Sequence, residues 1–362
     1  MAEWLRPEAV FDGRALRQVA VAVEDGRIAA LEDRPGAPMQ GVLTPGFVDL
    51  QVNGGGGTLL NTDPTAEGIA RIAAAHRAFG TTTILPTVIT DAPEVLDRAC
   101  AAVRASDAVG LHIEGPHIAA AKRGTHATRH IRALDGRTLA LVQGLRAAGK
   151  AVLITLAPEA ATPEQIAQLD QMGAVVSLGH SNATADEARV ALRAGARCFT
   201  HLFNAMSPMT SRAAGMVGAA INSEAYVGII ADGLHVADEM VALAVRARPK
   251  PGRMMLVSDA MPTVGGPDRF ALYGHEIRLQ DGRLINAEGN LAGAHSTMLW
   301  GVTRLTQHVG LPLETALQMA VTAPSQLIFG APPRVLGASV DDLIVLRGGQ
   351  AQPFSASTAP AK

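Results

Sequence analysis

The chain has 362 residues, a formal net charge of −2, 48% hydrophobic and 18% charged residues, and only 3% aromatics. These are the proportions of an ordinary α/β enzyme. With no basic stripe and no stacking platform they argue against nucleic-acid binding, and no apolar run reaches the roughly 18 residues of a membrane span. Length alone suggests two or three domains. Cys100 and Cys198 follow no C-x-x-C spacing and are expected to be reduced thiols. Glu3 and Pro7 stand where a signal peptide needs an apolar core, so a cytoplasmic protein is expected.

Residues 8–44 read as short strands. Segments 18–23 and 27–31 flank Asp25-Gly26, a good hairpin turn. Segment 342–346 reads as a further strand. A small β-domain built from residues 1–44 and 331–362 is therefore expected, with 348–362 mobile.

Residues 45–330 carry a different pattern. Eight short apolar runs occupy 47–52, 82–88, 109–113, 152–156, 175–178, 198–202, 226–231 and 254–257. Each ends in polar groups: Gln51 and Asn53, Thr87, Glu114, Glu159, His180, His201, Asp232 with His235, and Asp259. Helical segments at 65–79, 135–148, 162–172 and 184–194 lie between them. Eight strands delivering polar residues from their C-terminal ends predict a (β/α)8 TIM-type barrel with its site on that face. The connection 203–225 reads as a long functional loop. An inserted hairpin is expected at 270–290, turning at Asp281-Gly282, followed by helices at 296–308 and 313–329.

Glu114 and His180 end the third and fifth runs, and His201 sits within the sixth. One carboxylate and two imidazoles form a three-ligand set that leaves positions open on a catalytic divalent ion. One such residue alone is more often a hydrogen-bonded core group; three at strand ends, with Asp259 at the eighth, make that account weak. Asp259 is suited to take a proton from the attacking water and return it to the leaving amine.

Several segments are long and specific: Leu111-His-Ile-Glu-Gly-Pro116, Lys122-Arg-Gly-Thr-His126, Thr155-Leu-Ala-Pro-Glu159, Thr200-His-Leu-Phe-Asn-Ala-Met206 and Ile230-Ala-Asp-Gly-Leu-His235. With these the chain resembles the N-acetylglucosamine-6-phosphate deacetylase family of the amidohydrolase superfamily. The resemblance implies hydrolysis of N-acetyl-D-glucosamine 6-phosphate to glucosamine 6-phosphate and acetate. It implies Glu114, His180 and His201 as metal ligands, Asp259 as general acid/base, and His126 as the group that polarises the amide carbonyl. Thr125, Asn204, Ala205, Arg212, Asp232 and His235 would bind the sugar phosphate, with help from Leu291, Ala292 and Gly293.

Many amidohydrolases carry His-x-His at the end of the first strand and bind a second metal there. Here Gln51 and Asn53 leave those second-metal positions vacated, because neutral amides are poor ligands beside imidazole. One divalent ion per chain is expected, Zn²⁺ foremost, with Fe²⁺, Mn²⁺ or Co²⁺ suiting the same ligands. His295 departs from the family pattern; reaching the sugar pocket to shift specificity is one reading, and a surface position is the favoured one. A homodimer is expected, because Met206, Met209, Met216, Val217 and Ile221 read as an apolar surface. The resemblance points the same way and leaves open whether Arg212 serves its own pocket or the partner's. A lid over the chain's own site is the alternative use of that segment. Two other functions compete: hydrolysis of a cyclic amide, and sugar-phosphate binding without turnover. The first typically needs two metals and a bridging lysine, where Glu159 follows the fourth run; the intact Asp259 argues against the second.

Overall fold

A computed structural model describes residues 3–286 and 288–354. Eight parallel strands form one sheet in strict chain order: Phe47–Val52, Thr81–Ile89, Gly110–Glu114, Ala151–Leu156, Val175–Leu178, Cys198–Phe199, Tyr226–Ile229 and Met254–Leu256. Strands covered on both faces must be apolar along their length; all six positions of Ala151–Leu156 are buried. The outer helices start where their caps dictate. Asp135 caps Gly136–Ala147, and Thr162 and Thr184 form capping boxes with Gln165 and Glu187 ahead of Pro163–Gln171 and Ala185–Arg193.

The sheet closes between its first and last strands without a regular ladder. Val52 bridges Ala260, whose carbonyl accepts the Asn53 and Gly54 N–H groups at 2.9 and 3.0 Å. Asp49 Oδ1 accepts the N–H groups of Gln51 and Ser258 at 3.2 Å each, and the Ser258 hydroxyl donates to the Gln51 carbonyl at 3.3 Å. Side chains therefore stitch the seam that carries Asp259.

A second, seven-stranded sheet collects both chain ends. Glu3–Phe11 lies parallel to Ala37–Pro45, and Leu343–Arg347 pairs antiparallel with the latter. The hairpin Ala20–Glu24 to Arg27–Glu32 turns at Asp25-Gly26 as expected. This sheet has its own core of Val10, Val21, Ile28, Leu43, Val345 and Phe354.

Three segments differ from expectation. Gln350–Pro353 is a strand paired to Leu343–Arg347, so that part of 348–362 is ordered by cross-strand bonding; residues 355–362 lie outside the described residues. The insert near 270–290 is a four-stranded antiparallel sheet, Arg269–Leu272, His275–Gln280, Arg283–Ile285 and Leu291–Ala294, because Tyr273-Gly274 supplies a second left-handed turn. The connection after the sixth strand contains a helix, Gly215–Ile221, buried at every position. It packs on Ala185–Arg193, so Met206, Met216, Val217 and Ile221 belong to the core and do not form the apolar surface expected of them. Only Met209 of that set is exposed, at 44%. Among the described residues no helix is long and apolar enough to cross a membrane.

Candidate metal and catalytic site

The strand ends bend sharply where the chemistry sits. His180, His201 and Asp259 have φ of 47°, 30° and 51°. Left-handed backbone costs a non-glycine residue about 1–2 kcal/mol, and such strain persists only where surrounding bonds enforce it. Here it turns each side chain inward over the barrel mouth.

Three atoms converge. His201 Nε2 lies 3.0 Å and His180 Nε2 3.2 Å from Glu114 Oε1, and the two Nε2 atoms are 3.1 Å apart. His180 Nδ1 faces the Lys122 carbonyl at 2.9 Å. A carbonyl only accepts, so Nδ1 donates there, and a ring bound to an ion in that tautomer would offer it the Nε2 lone pair. Ligand atoms of a tetrahedral ion bound at about 2.0–2.1 Å stand roughly 3.3–3.4 Å from one another. The triangle is close to that size, and its donor set suits a divalent ion.

A second grouping is looser: ligand-type atoms of Glu114, His126 and His180 fall within 4.8 Å of one another. The tighter triangle of Glu114, His180 and His201 matches ligand spacing better. The Nδ1 of His126 is engaged by the Thr90 hydroxyl at 2.7 Å, and its ring stacks at a tilt 4.5 Å from that of His180. Burial, reinforced by His180, pushes its pKa down to about 3, so the imidazole is uncharged. One ring deeper, burial lowers His112 to about 4.

The carboxylates are set apart by their surroundings. Burial works to raise Glu114, but hydrogen bonds from His180 and His201 hold it well below the usual carboxylate range. Burial likewise opposes charge on His201, yet the Glu114 carboxylate raises that imidazole overall. Asp259 is pushed up to about 6 by burial and then by the nearby Glu114 charge, against the pull of His201 and Asn53. It is a base poised near neutrality.

Gln51 and Asn53 do more than leave metal positions empty of imidazole. Gln51 Nε2 donates to Glu114 Oε1 at 2.9 Å and to Asp259 Oδ1 at 3.2 Å, while Asn53 Nδ2 donates to the same Oδ1 at 2.7 Å. Their carboxylate partners fix both amide orientations. Amide donors thus face the space a second cation would fill, and Asp259 keeps Oδ2 for other work.

These groups open into a cavity of about 290 Å³. Of the expected substrate groups, Thr125, Asn204, Ala205, His235, Leu291 and Gly293 line it. Ala292 is buried and is not part of the lining. Asp232 stands behind His235, its Oδ2 2.6 Å from Nδ1 and its Oδ1 accepting two backbone N–H groups, so it positions that imidazole. Arg212 is exposed and outside the lining. His295 is half-buried 2.9 Å from Thr263 Oγ1, in a separate apolar groove with Trp300. Sequence reading missed Ile89, Ala121, Gly124, Met261 and Asn290 as lining residues, and also Lys122, the one lysine or arginine in the lining among the described residues. The Lys122-Arg-Gly-Thr-His126 motif was the available signal for Lys122; nothing in the sequence pointed to Asn290.

Residues 42–327 match the model of the amidohydrolase family. The N-acetylgalactosamine-6-phosphate deacetylase of Shewanella sp. (strain ANA-3) is 42% identical over 339 residues, covering 89% of this chain and 85% of that protein. The N-acetylglucosamine-6-phosphate deacetylase of Haemophilus influenzae is 34% identical over 297 residues, covering 79% and 77%. The solved N-acetylglucosamine-6-phosphate deacetylase from Pasteurella multocida superposes with a TM-score of 0.87 at 32% identity, covering 97% of each chain.

Proposed function

The chain belongs to the amidohydrolase family, and from that premise we propose that it deacetylates an amino-sugar phosphate, converting N-acetyl-D-glucosamine 6-phosphate to D-glucosamine 6-phosphate and acetate. The observation that carries this reading is the convergence of Glu114, His180 and His201 at 3.0–3.2 Å beside a buried Asp259 with raised pKa. Those three residues would hold one divalent ion, with Zn²⁺ our first choice. When bound, the ion supplies Lewis acidity for attack of water on the acetamide.

The remaining steps belong to the protein. Asp259, anchored through Oδ1, takes the proton of the attacking water on Oδ2. The new C–O bond forms, the C–N bond breaks, and Asp259 returns the proton to the departing nitrogen. In the tautomer in which Thr90 donates to Nδ1, His126 carries its proton on Nε2, where it would be offered to the amide carbonyl oxygen. Asn204 and His235 hold the sugar phosphate, with Lys122 close by in the same cavity. Arg212 is exposed and, among the described residues, has no hydrogen-bond or ion-pair partner. We further propose a cytoplasmic homodimer in which Arg212 serves the partner's pocket.

The cyclic-amide alternative is not favoured. The fourth strand ends in Leu156, with Pro158 and Glu159 after it and no lysine, and amide donors occupy the second-metal positions. The 42% identical relative is named for the galactosamine epimer, so the test is acetate release from both 6-phosphates. Turnover of neither, with dihydroorotate opened instead, would overturn the proposal.

A further inference from the structure

A TIM-type barrel interior is usually filled by branched hydrocarbon. Beneath this site it is filled by hydroxyls. Thr155 Oγ1 lies 2.8 Å from His112 Nε2 and 2.6 Å from Thr200 Oγ1, and Thr200 Oγ1 lies 2.6 Å from Ser177 Oγ. His112, Thr155 and Ser177 come from the third to fifth strands, and Thr200 directly follows the sixth. All are buried.

The proton order along this row is fixed. His112 Nδ1 faces the Leu50 carbonyl at 2.9 Å, so it donates there. Nε2 must then accept from Thr155, which accepts from Thr200, which accepts from Ser177. Each hydroxyl has one proton and one use for it, so no member can turn without stranding its neighbour in a dry interior.

The row's position suggests its purpose. Thr155 is the ladder partner of Glu114 on one side and of Ser177 on the other. Thr200 directly precedes His201. A β-carbon on Gly179, the residue before His180, would come within 3.0 Å of both the Thr200 Cβ and the Thr155 Cγ2. The row therefore touches the backbone of each ligand-bearing strand end just below the triangle.

We propose that the His112–Thr155–Thr200–Ser177 row is a positioning layer for the metal centre, holding Glu114, His180 and His201 at ligand spacing before the ion arrives. This rests on the ligand assignment above. Groups just outside a ligand set typically change affinity by about 10–100-fold when removed.

The test is Zn²⁺ affinity, measured by competition with a chromophoric chelator, beside the melting temperature of the metal-free protein. Thr200→Val keeps shape and removes the hydroxyl; it should weaken Zn²⁺ binding by about 10-fold or more. Thr200→Ser should restore it. Unchanged affinity in Thr200→Val, or equal losses in both variants, would overturn the proposal, even if melting temperatures fall. If Thr200→Val does not fold, Thr155→Val with Thr155→Ser reads the same row. Wild-type protein that binds no Zn²⁺ would defeat the ligand assignment itself, an outcome distinct from tight binding that ignores the layer.

Discussion

Asn53→Leu removes a donor and keeps the branched outline of the side chain. Asn53 Nδ2 donates to Asp259 Oδ1 at 2.7 Å, while the Gln51 bond to the same oxygen, at 3.2 Å, remains. A hydrogen bond to a charged group contributes about 1.5–3 kcal/mol. At 1.36 kcal/mol per pKa unit, losing it raises Asp259 by about one to two units. The wild-type carboxyl sits at about 6. Asp259 works as the carboxylate, so the acid limb of kcat/KM should move to higher pH, toward about 7 to 8. Near pH 7 the variant should lose about 2- to 10-fold, and at high pH, where both forms are ionised, the two rates should approach each other. The assay is acetate release over a pH series, with metal content measured at each point. A uniform loss with an unmoved limb would show that Asn53 does not tune Asp259, and a limb displaced to lower pH would contradict the electrostatics outright.

Asp259→Asn should lower kcat by about 10²- to 10⁴-fold while elemental analysis finds wild-type metal; near-normal turnover would remove Asp259 from the chemistry. Arg212→Ala should raise KM for the 6-phosphate far more than for the unphosphorylated sugar, and equal effects on both would mean that Arg212 does not read the phosphate. If Arg212 acts across a dimer, light scattering at micromolar concentration should report twice 37.5 kDa. A fully active monomer would exclude any essential contribution from a partner.

Much of the barrel was legible because burial on both faces writes itself as uninterrupted apolar runs, and because Glu114, His180, His201 and Asp259 sit just where those runs stop. The helix Gly215–Ile221 was not legible. Its two glycines and two alanines look like loop, its start has no side-chain cap, and only packing against Ala185–Arg193 makes it a helix. Glu3–Phe11 was hidden by Arg6, Pro7 and Glu8, which break the apolar alternation beside a register shift between Pro7 and Ala9 against Ala37–Pro45. Gln51 and Asn53 could be read as absent imidazoles, but their positive role as donors to two carboxylates needed the seam between the first and last strands, which sequence order does not reveal. Lys122 and Asn290 reach the cavity from loops, where periodicity carries no signal.

The most direct test joins metal and turnover in one titration. Metal-free protein should release no acetate from N-acetyl-D-glucosamine 6-phosphate, and activity should rise linearly with added Zn²⁺ to a plateau at about one ion per chain. A plateau that needs two ions, or full acetate release in the presence of excess chelator, would contradict a centre built on Glu114, His180 and His201 alone.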